Sequence, residues 1–322
     1  MDTRDRARRR RVAPVAALLA GALSASLVAG CARHGRDDDH RAPHHTRTPT
    51  APTAPTGAGP PLAVKIDNAP AARPQTGLET ADVVYAEQVE GGLSRLMAVY
   101  ATRLPRTVGP VRSARESDLE LLRQFRRPVL AFSGAQHALL PLIDRAPLRA
   151  EPPDEAPGAY HRDTGRAAPH NLYLRPAALL RTAPGTAALT TGFRYGPAPS
   201  GGTPAPSRTV RYPAARFTFT WSAARGSWRV TMDGTPAGTA PATVVVQHVR
   251  VRTSRYHDAL GNHTPYTATV GSGRAEVLRD GRAFEAHWSR PTAAAGTAFT
   301  APDGSRLDFA AGQVWVVFVP AG

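Results

Sequence analysis

The sequence predicts an α+β fold, with a mixed α/β first domain whose helices pack on a small sheet, followed by an antiparallel β-rich second domain. Apolar strand-like runs and helical segments alternate between residues 61 and 185, which indicates an α/β layer. From residue 208 onward, short apolar runs are separated by glycine-containing turns, which is typical of antiparallel sheets. Residues 186–207 contain APSGGTPAPS, a composition that favours a linker or surface loop.

Each element of the first domain follows from a local pattern. LAVKI predicts a strand that ends at the polar pair Asp67-Asn68, and ADVVYAEQVEGGLSRLMAVYAT predicts a hairpin that turns at Gly91-Gly92. PVLAFSG predicts a short buried strand. Leucines and other apolar residues at helical spacing predict three helices, at residues 113–125, 136–143 and 176–182.

The second domain, residues 208–322, is predicted from its strand-like segments. They are RFTFTWS, SWRVTMDG, ATVVVQHVRV, YTATVGSG, RAEVLRDGRAFEAHWS and QVWVVFVP. Asp280-Gly281 in the fifth segment is a signal for a tight hairpin turn. The four tryptophans all lie in these runs, where aromatic residues favour a pleated core, and they are therefore predicted to be buried.

Residues 1–30 are predicted to be a lipoprotein signal peptide. A basic segment precedes an apolar stretch of small residues, and Val28-Ala29-Gly30-Cys31 resembles a bacterial lipobox, so Cys31 is the predicted lipidation site. Residues 31–60 are nearly free of large apolar side chains and are predicted to be a disordered Pro/Thr-rich tether. These features predict a lipid-anchored protein on the extracytoplasmic face of the cell membrane, and they leave open whether export is by the Sec or the twin-arginine route.

The amino-acid composition excludes some kinds of site and some classes of binding partner. Cys31 is the only cysteine, so neither an intrachain disulfide nor a cysteine-based zinc site can form. The net charge of +15 comes from scattered arginines, with Lys65 as the only lysine and no basic stripe interleaved with aromatics, so nucleic acid is not a predicted partner. The expected partners are the membrane, which the N-terminal lipid contacts, and an anionic group, which is an envelope polymer, a lipid headgroup or an acidic protein segment. No cofactor is expected.

The most informative stretch is VGPVRSAR. Arg112 and Arg115 flank Ser113, which has the spacing of a capping box with Glu116 and therefore predicts a helix start. Because a helix N-terminus already carries partial positive charge, two guanidinium groups there need a negative partner. The partner is either an anionic ligand from outside the chain or an internal carboxylate, for which Asp67, Glu90 and Asp163 are the candidates.

Other polar residues complete a predicted arginine-lined ligand cleft. Asp67 and Asn68 end a strand, and ligands gather at such ends in open α/β sheets. A rigid polar loop follows them, Glu90 lies in the first hairpin, and APHNLY contributes a histidine and an asparagine. The predicted lining is Asp67, Asn68, Arg73, Glu90, Arg112, Ser113, Arg115, His170 and Asn171, and no residue is assigned to catalysis or to a metal.

Two alternatives stay open. AYHRDTGRAAPHNLY carries residue types suited to acid–base chemistry, so a cell-wall or phosphate-ester hydrolase that uses His161 or His170 is possible if either meets a serine or a carboxylate. A structural envelope assembly factor would instead expose a broad apolar patch.

In RYHDALGNHTP, His257, Asp258 and His263 fit either a cation site or a solvated hairpin loop.

Three segments together resemble the YerB-like bacterial lipoproteins, a family built on a domain of unknown function (number 3048) with N- and C-terminal portions. The segments are PLAVKIDNAPAARPQTGLETADVVYAEQVEGG, VGPVRSAR and APHNLY, while VVVQHVRV and GQVWVVFVP match the C-terminal portion. The resemblance covers about residues 61–320 and implies an exported, lipid-anchored envelope protein, without supplying catalytic residues. Two departures from the family pattern are Lys65, where an apolar residue is common, and YHRD, where an aromatic pair usually precedes Arg-Asp.

Overall fold

The computed structural model describes residues 59–258 and 261–322. The strands are β1 Leu62–Asp67, β2 Val83–Gln88, β3 Ser94–Tyr100, β4 Val129–Ala131, β5 Arg149–Glu151, β6 Tyr160–Arg162, β7 Leu172–Leu174, β8 Thr203–Pro204, β9 Ser207–Tyr212, β10 Ala215–Ser222, β11 Ser227–Met232, β12 Thr235–Pro236, β13 Thr243–Val249, β14 Val251–His257, β15 His263–Thr267, β16 Gly271–Arg279, β17 Arg282–Arg290, β18 Ala298–Thr300 and β19 Val314–Pro320. The α-helices are α1 Glu116–Leu122 and α2 Leu140–Arg145. Three-residue 3₁₀ helices lie at Pro70–Ala72, Leu78–Thr80, Glu90–Gly92, His137–Leu139, Pro157–Ala159, Pro176–Ala178 and Thr186–Ala188.

The predicted α+β fold class, with helices on a small sheet, is wrong, because the described chain is mostly β-sheet. Helix α1 is shorter than predicted, since the backbone N–H groups of Arg112 and Ala114 bond to Lys65 and Gly134 and hold that stretch extended. The predicted helix at residues 176–182 is only a 3₁₀ turn, Pro176–Ala178. Tertiary backbone pairing thus overrides the local helical pattern.

One large mixed sheet organises the molecule. Its strand order is β18-β17-β16-β13-β19-β2-β3-β1-β4-β5, and β8 pairs with β17. The pairs β13–β19, β19–β2, β1–β4 and β4–β5 are parallel, and the other pairs are antiparallel. A separate antiparallel sheet has the order β12-β11-β10-β9, and two-stranded ribbons are formed by β14 with β15 and by β6 with β7.

Strands from both halves of the sequence lie in the large sheet. The last strand, β19, lies between β2 and β13 and pairs parallel with each, so Trp315 has Val84 on one side and Val244 on the other. The C-terminal strand therefore connects the hairpin of the N-terminal half to the meander of the C-terminal half through backbone hydrogen bonds.

The two faces of this sheet bury different cores. Alternate residues of β1 point to opposite faces, and all six are buried, which is why LAVKID is an almost continuous apolar run. One face packs against the four-stranded sheet through Phe217, Phe219 and Trp228. The other face packs against Leu121 and Leu122 of α1. Lys65 also lies on that second face.

Helix α1 is tied to the C-terminal half by two charged side chains. Arg290 of β17 is fully buried and donates to the carbonyl oxygens of Glu120 and Leu121, at 2.9 and 3.2 Å, where the helix ends. The Glu120 carboxylate accepts from the backbone N–H groups of Thr269 and Val270, at 2.7 and 3.1 Å. The helix that follows VGPVRSAR is thereby held by residues from the C-terminal half of the chain.

Both predicted hairpins form. β2 pairs antiparallel with β3 around the 3₁₀ turn Glu90–Gly92. β16 pairs with β17, and Asp280 and Gly281 at the turn have φ of 52° and 72°, the positive values that a type I′ turn requires. Three of the four tryptophans are buried as predicted, and Trp221 is partly buried.

The predicted signal peptide (residues 1–30), the lipidation site Cys31 and the tether up to residue 58 lie outside the described residues. In the part of the chain that the structure describes, no helix combines the length and apolar character needed to cross a bilayer.

Candidate functional site

The site begins at Asp67, the last residue of β1. One oxygen of its carboxylate, Oδ2, accepts from His170 Nδ1 at 2.8 Å and pairs with Arg112 Nε at 3.2 Å. The other, Oδ1, accepts from the backbone N–H of Ala69 at 3.1 Å. A single buried carboxylate thus connects a strand end to VGPVRSAR and to APHNLY, two segments far apart in sequence.

VGPVRSAR is held in place by its backbone. Val108 exchanges hydrogen bonds with Leu174, and Arg112 donates its N–H to the Lys65 carbonyl at 2.8 Å. Gly109 passes so close to β7 that a Cβ there would lie 2.8 Å from the Tyr173 ring and 2.9 Å from the Leu172 carbonyl oxygen. Only glycine permits this approach, which brings the arginine loop against the segment that carries His170.

These segments surround a cavity of about 720 Å³, which we call the Arg112 cleft. Such a volume is typical of small-molecule sites. Six of the nine residues predicted for the ligand cleft line it: Asp67, Glu90, Arg112, Ser113, Arg115 and His170. The remaining three, Asn68, Arg73 and Asn171, do not.

The three outlying residues serve structural roles. Asn68 donates to Ser94 Oγ at 2.8 Å and accepts from Arg73 Nε at 3.1 Å, while Arg73 pairs with Asp233 at 2.7 Å. Asn171 donates to the backbone carbonyls of Asp163 and Arg166, in the segment before APHNLY, and accepts from Arg162 at 2.7 Å. These side chains hold loops beside the cleft rather than facing its interior.

For Arg115, the internal-carboxylate alternative describes the structure. Its guanidinium group makes two hydrogen bonds to the Glu90 carboxylate, at 2.5 and 2.8 Å, and both residues are buried. Thr264 also donates to Glu90. Burial would raise the pKa of Glu90, but the hydrogen bonds and charge of Arg115 outweigh it, so the pKa lies below its ordinary value.

Arg112 differs from Arg115. Its Nε lies 3.2 Å from Asp67 Oδ2, and its side chain is 27% exposed in the cleft. Within the described residues, neither of its terminal nitrogens, Nη1 and Nη2, has a protein hydrogen-bond partner. Four N–H groups of one guanidinium are therefore available to a ligand.

Arg95 is a cleft residue that sequence reasoning missed. It donates to the Ser113 carbonyl at 3.2 Å and lies 4.0 Å from Glu90. Burial, together with the charge of nearby Arg115, lowers its pKa to about 10. The register between β1 and β3 could have indicated it, because this pairing places Arg95 directly opposite Asp67.

The C-terminal half also reaches the cleft, which the sequence did not indicate. The hairpin of β14 and β15 contributes Tyr256, His257 and Thr264, which come from the segment RYHDALGNHTP that was considered as a cation site. Glu116, Gln136, His137 and Asp258 are further lining residues that the sequence did not predict. Among the described residues, no three histidine, cysteine or acidic side chains are grouped closely enough to hold a metal ion.

The start of α1 differs from the predicted capping box. Arg115, not Ser113, is the N-cap, and the Asp118 carboxylate accepts the backbone N–H of Arg115 at 2.7 Å. Asp118 is fully buried and also accepts from Lys65 at 2.7 Å, while Lys65 donates to Glu87 as well. The only lysine of the chain therefore connects β1 and β2 to the helix that begins at the cleft.

Of the two histidines considered for catalysis, His170 alone meets a carboxylate. Its bond to Asp67 lies at the cleft, where its side chain is 23% exposed. His161 packs against Tyr173, and its buried Nδ1 has no hydrogen-bond partner within the described residues. Ser113 lines the cleft, whereas Ser133 lines a neighbouring hollow.

Two family models cover most of the chain. Residues 47–189 match the N-terminal domain, and residues 208–316 the C-terminal domain, of a protein of unknown function (DUF3048). Among curated proteins, the chain is similar to "Putative lipoprotein YerB" of Bacillus subtilis (strain 168), with 48% identity over 65 residues. That match spans about a fifth of this chain and a fifth of the relative.

The fold is also similar to a solved structure. The crystal structure of the YerB protein from Bacillus subtilis matches 81% of this chain and 91% of its own chain, with a TM-score of 0.67 and 20% identity. At that identity, the likeness concerns the fold alone.

Proposed function

The chain belongs to the DUF3048 family of proteins of unknown function, and from that premise we propose that it is a lipid-anchored cell-envelope protein whose Arg112 cleft binds an anionic group. The lipid anchor is supported by Cys31 behind Val28-Ala29-Gly30 and by the name of the Bacillus subtilis relative. The anchor and the extracytoplasmic location are parts of the proposal, as is the binding activity.

The observation that carries the binding proposal is the geometry of Arg112. Its Nε lies 3.2 Å from Asp67 Oδ2, which holds the guanidinium group beside the cleft, while Nη1 and Nη2 form no hydrogen bond with the described residues. A carboxylate or a phosphate can accept two parallel N–H bonds from such a fork. Arg112 therefore resembles a preorganised anion receptor more than a structural ion pair.

The charge balance around Arg112 supports the same conclusion. The guanidinium groups of Arg95, Arg112 and Arg115 lie together, and among the described residues two carboxylates, Asp67 and Glu90, form ion pairs with them. The lowered pKa of Arg95 reflects burial first and then repulsion from the other arginines. A bound anion would relieve that repulsion. Because Glu116 and Asp258 also line the cleft and Arg115 is paired with Glu90, we place the anionic group beside Arg112.

The test compares two arginine substitutions in the full chain, purified in detergent. Inorganic phosphate and citrate are titrated by calorimetry against wild type, Arg112→Gln and Arg106→Gln. Arg106 is exposed and lies outside the cleft, so its substitution removes the same charge without touching the site. We expect Arg112→Gln to weaken binding about tenfold or more, since a charge-assisted hydrogen bond contributes about 1.5–3 kcal/mol. Equal affinity in the two variants would contradict the proposal.

A second candidate function is hydrolysis of a phosphate ester, and the Asp67–His170 contact favours it. With Nδ1 bound to Asp67, the His170 ring keeps Nε2 available as a proton acceptor at the cleft. Chromogenic phosphate monoesters and diesters test this directly. Turnover that disappears in His170→Gln would support hydrolysis, and no turnover by wild type would contradict it.

The third alternative, a structural assembly factor, gains no support. Its expected mark is a broad exposed apolar patch, but Tyr195 is the one large hydrophobic side chain that is exposed within residues 59–258 and 261–322.

A further inference from the structure

A second cavity adjoins the Arg112 cleft. It has a volume of about 870 Å³, and we call it the acidic hollow. Arg112, Ser113 and Ala135 line both cavities. Because the same residues form their shared wall, the two cavities make one groove with Arg112 near its middle.

The acidic hollow has its own chemistry. Its floor is apolar, with buried Phe132 and Ile143 beside Leu148. Its other charged residues are the exposed acids Asp144, Asp154 and Glu155, together with Arg162, which bonds to Asn171. None of the three carboxylates forms a salt bridge within the part of the chain that the structure describes. The acidic hollow therefore has a negative rim beside an apolar surface.

The sheet fixes the order of these groups along the groove. β1, β4 and β5 are adjacent parallel strands, so their carboxyl ends lie at one edge. Asp67 ends β1 beside Arg112, Phe132 follows β4, and Asp154 and Glu155 lie in the loop after β5. Since neighbouring strands are about 4.8 Å apart, the basic and acidic ends are separated by roughly 10 Å, with the apolar surface between them.

From this arrangement we infer that the groove binds a short peptide whose free C-terminal carboxylate lies at Arg112 and whose cationic group lies at Asp154 and Glu155. An extended peptide advances about 3.3 Å per residue, so about three residues span the groove, with an apolar side chain over Phe132. A polyanion fits this groove poorly, because it would be repelled by the three carboxylates of the acidic hollow. This inference rests on the proposed function, because the anionic end of the peptide occupies the same Arg112 cleft.

The experiment uses three peptides and phosphate on the full chain in detergent. Acetyl-Lys-Leu-Ala carries one cation and a free carboxylate. The second peptide is the same sequence with a C-terminal amide in place of the carboxylate, and the third, acetyl-Glu-Leu-Ala, replaces the cation with an acid. Calorimetry should give at least tenfold tighter binding for acetyl-Lys-Leu-Ala than for either control peptide. Binding of acetyl-Glu-Leu-Ala with equal or higher affinity would overturn the inference in favour of a polyanion.

A double variant separates the two ends of the groove. Asp154→Asn with Glu155→Gln should weaken acetyl-Lys-Leu-Ala about tenfold and leave phosphate binding unchanged. The matched control is Glu79→Gln with Glu285→Gln, which neutralises two exposed acids outside both cavities. If phosphate binds through Arg112 but the peptide binds no better than its amide, the inference fails and the proposed function stands. If neither phosphate nor the peptide binds, the proposed function itself fails.

Discussion

The buried carboxylate of Asp67 positions two other side chains of the cleft, Arg112 and His170. Its Oδ2 accepts a hydrogen bond from His170 and forms an ion pair with Arg112, so a strand end and two loops are held together at one oxygen atom. The positive charge of Arg112 and the hydrogen bond from His170 offset the cost of burying this carboxylate. The same contacts orient Arg112 and His170, the two groups on which the proposed functions depend.

Lys65 is a second residue with a large effect, because it is fully buried between Glu87 and Asp118. Lys65→Met should destabilise the protein by about 3–5 kcal/mol, since it leaves two buried carboxylates without a cation. Urea denaturation gives the free energy of unfolding. Adding Glu87→Gln and Asp118→Asn to Lys65→Met should recover part of the loss; a single variant as stable as wild type would contradict the ionic role.

The shifted pKa of Asp118 predicts that the stability of the protein depends on pH. Burial, reinforced by the charge of Glu87, raises its pKa from 3.8 to about 6 despite Lys65. The folded state therefore holds this proton more tightly than the unfolded state does. The contribution of Asp118 to stability is full below about pH 3.8 and is lost as the pH rises through about 6.

Urea denaturation of wild type and Asp118→Asn between pH 4 and pH 8 measures this contribution. The stability of wild type relative to the variant should fall from pH 4 to about pH 6 and then level off. A difference that rises over that interval would show that the pKa of Asp118 is lowered in the folded protein.

At the scale of elements, the close approach of VGPVRSAR to β7 positions the cleft. Gly109→Ala should destabilise the protein by about 1–3 kcal/mol and weaken phosphate binding, because the new Cβ would clash with Tyr173 and the Leu172 carbonyl. Thermal unfolding and the phosphate titration measure the two effects. Gly158→Ala is the control, since a Cβ at Gly158 meets no atom within 4 Å. Equal behaviour of the two variants would refute the steric argument.

Elements also show where local patterns were sufficient. The glycines after Glu90 and the pair Asp280-Gly281 need positive φ, a property of the residues themselves, and both hairpins were predicted correctly. The capping box at Ser113 was wrong, because the Ala114 N–H bonds to Gly134, a residue that is distant in the sequence. Local spacing gives no information about such a partner.

At the scale of the whole molecule, β19 joins the two halves of the sequence in one sheet. We therefore expect residues 59–322 to unfold in one cooperative transition. Deleting residues 314–322, which removes β19, should abolish this cooperative unfolding transition, because β2 and β13 would each lose a buried neighbouring strand. Circular dichroism during thermal unfolding provides the measurement. Deleting only residues 321–322, which leaves β19 intact, is the control, and two separate transitions in the full chain would contradict this expectation.

The cleft also depends on the whole molecule. Six of the nine predicted lining residues face it, because they lie in segments with recognisable polar signatures at strand ends and turns. Arg95 and Thr264 were missed, since their positions depend on strand register and on a hairpin from the distant half of the chain. Asn68, Arg73 and Asn171 were included because they lie in polar segments at a strand end, in the loop after it and in APHNLY, but their side chains bond to neighbouring structure outside the cleft.

By itself, the sequence determined the family resemblance, the two hairpins, the buried strands and six of the polar residues at the cleft, because these depend on residue type and short-range spacing. Only the tertiary structure decided that the fold is mostly β-sheet, that the C-terminal strand lies between β2 and β13, and that Arg112 keeps two nitrogens available while Arg115 is neutralised by Glu90. The reason is physical: strand order and ion pairing are set by contacts between residues far apart in the chain, which no local pattern specifies.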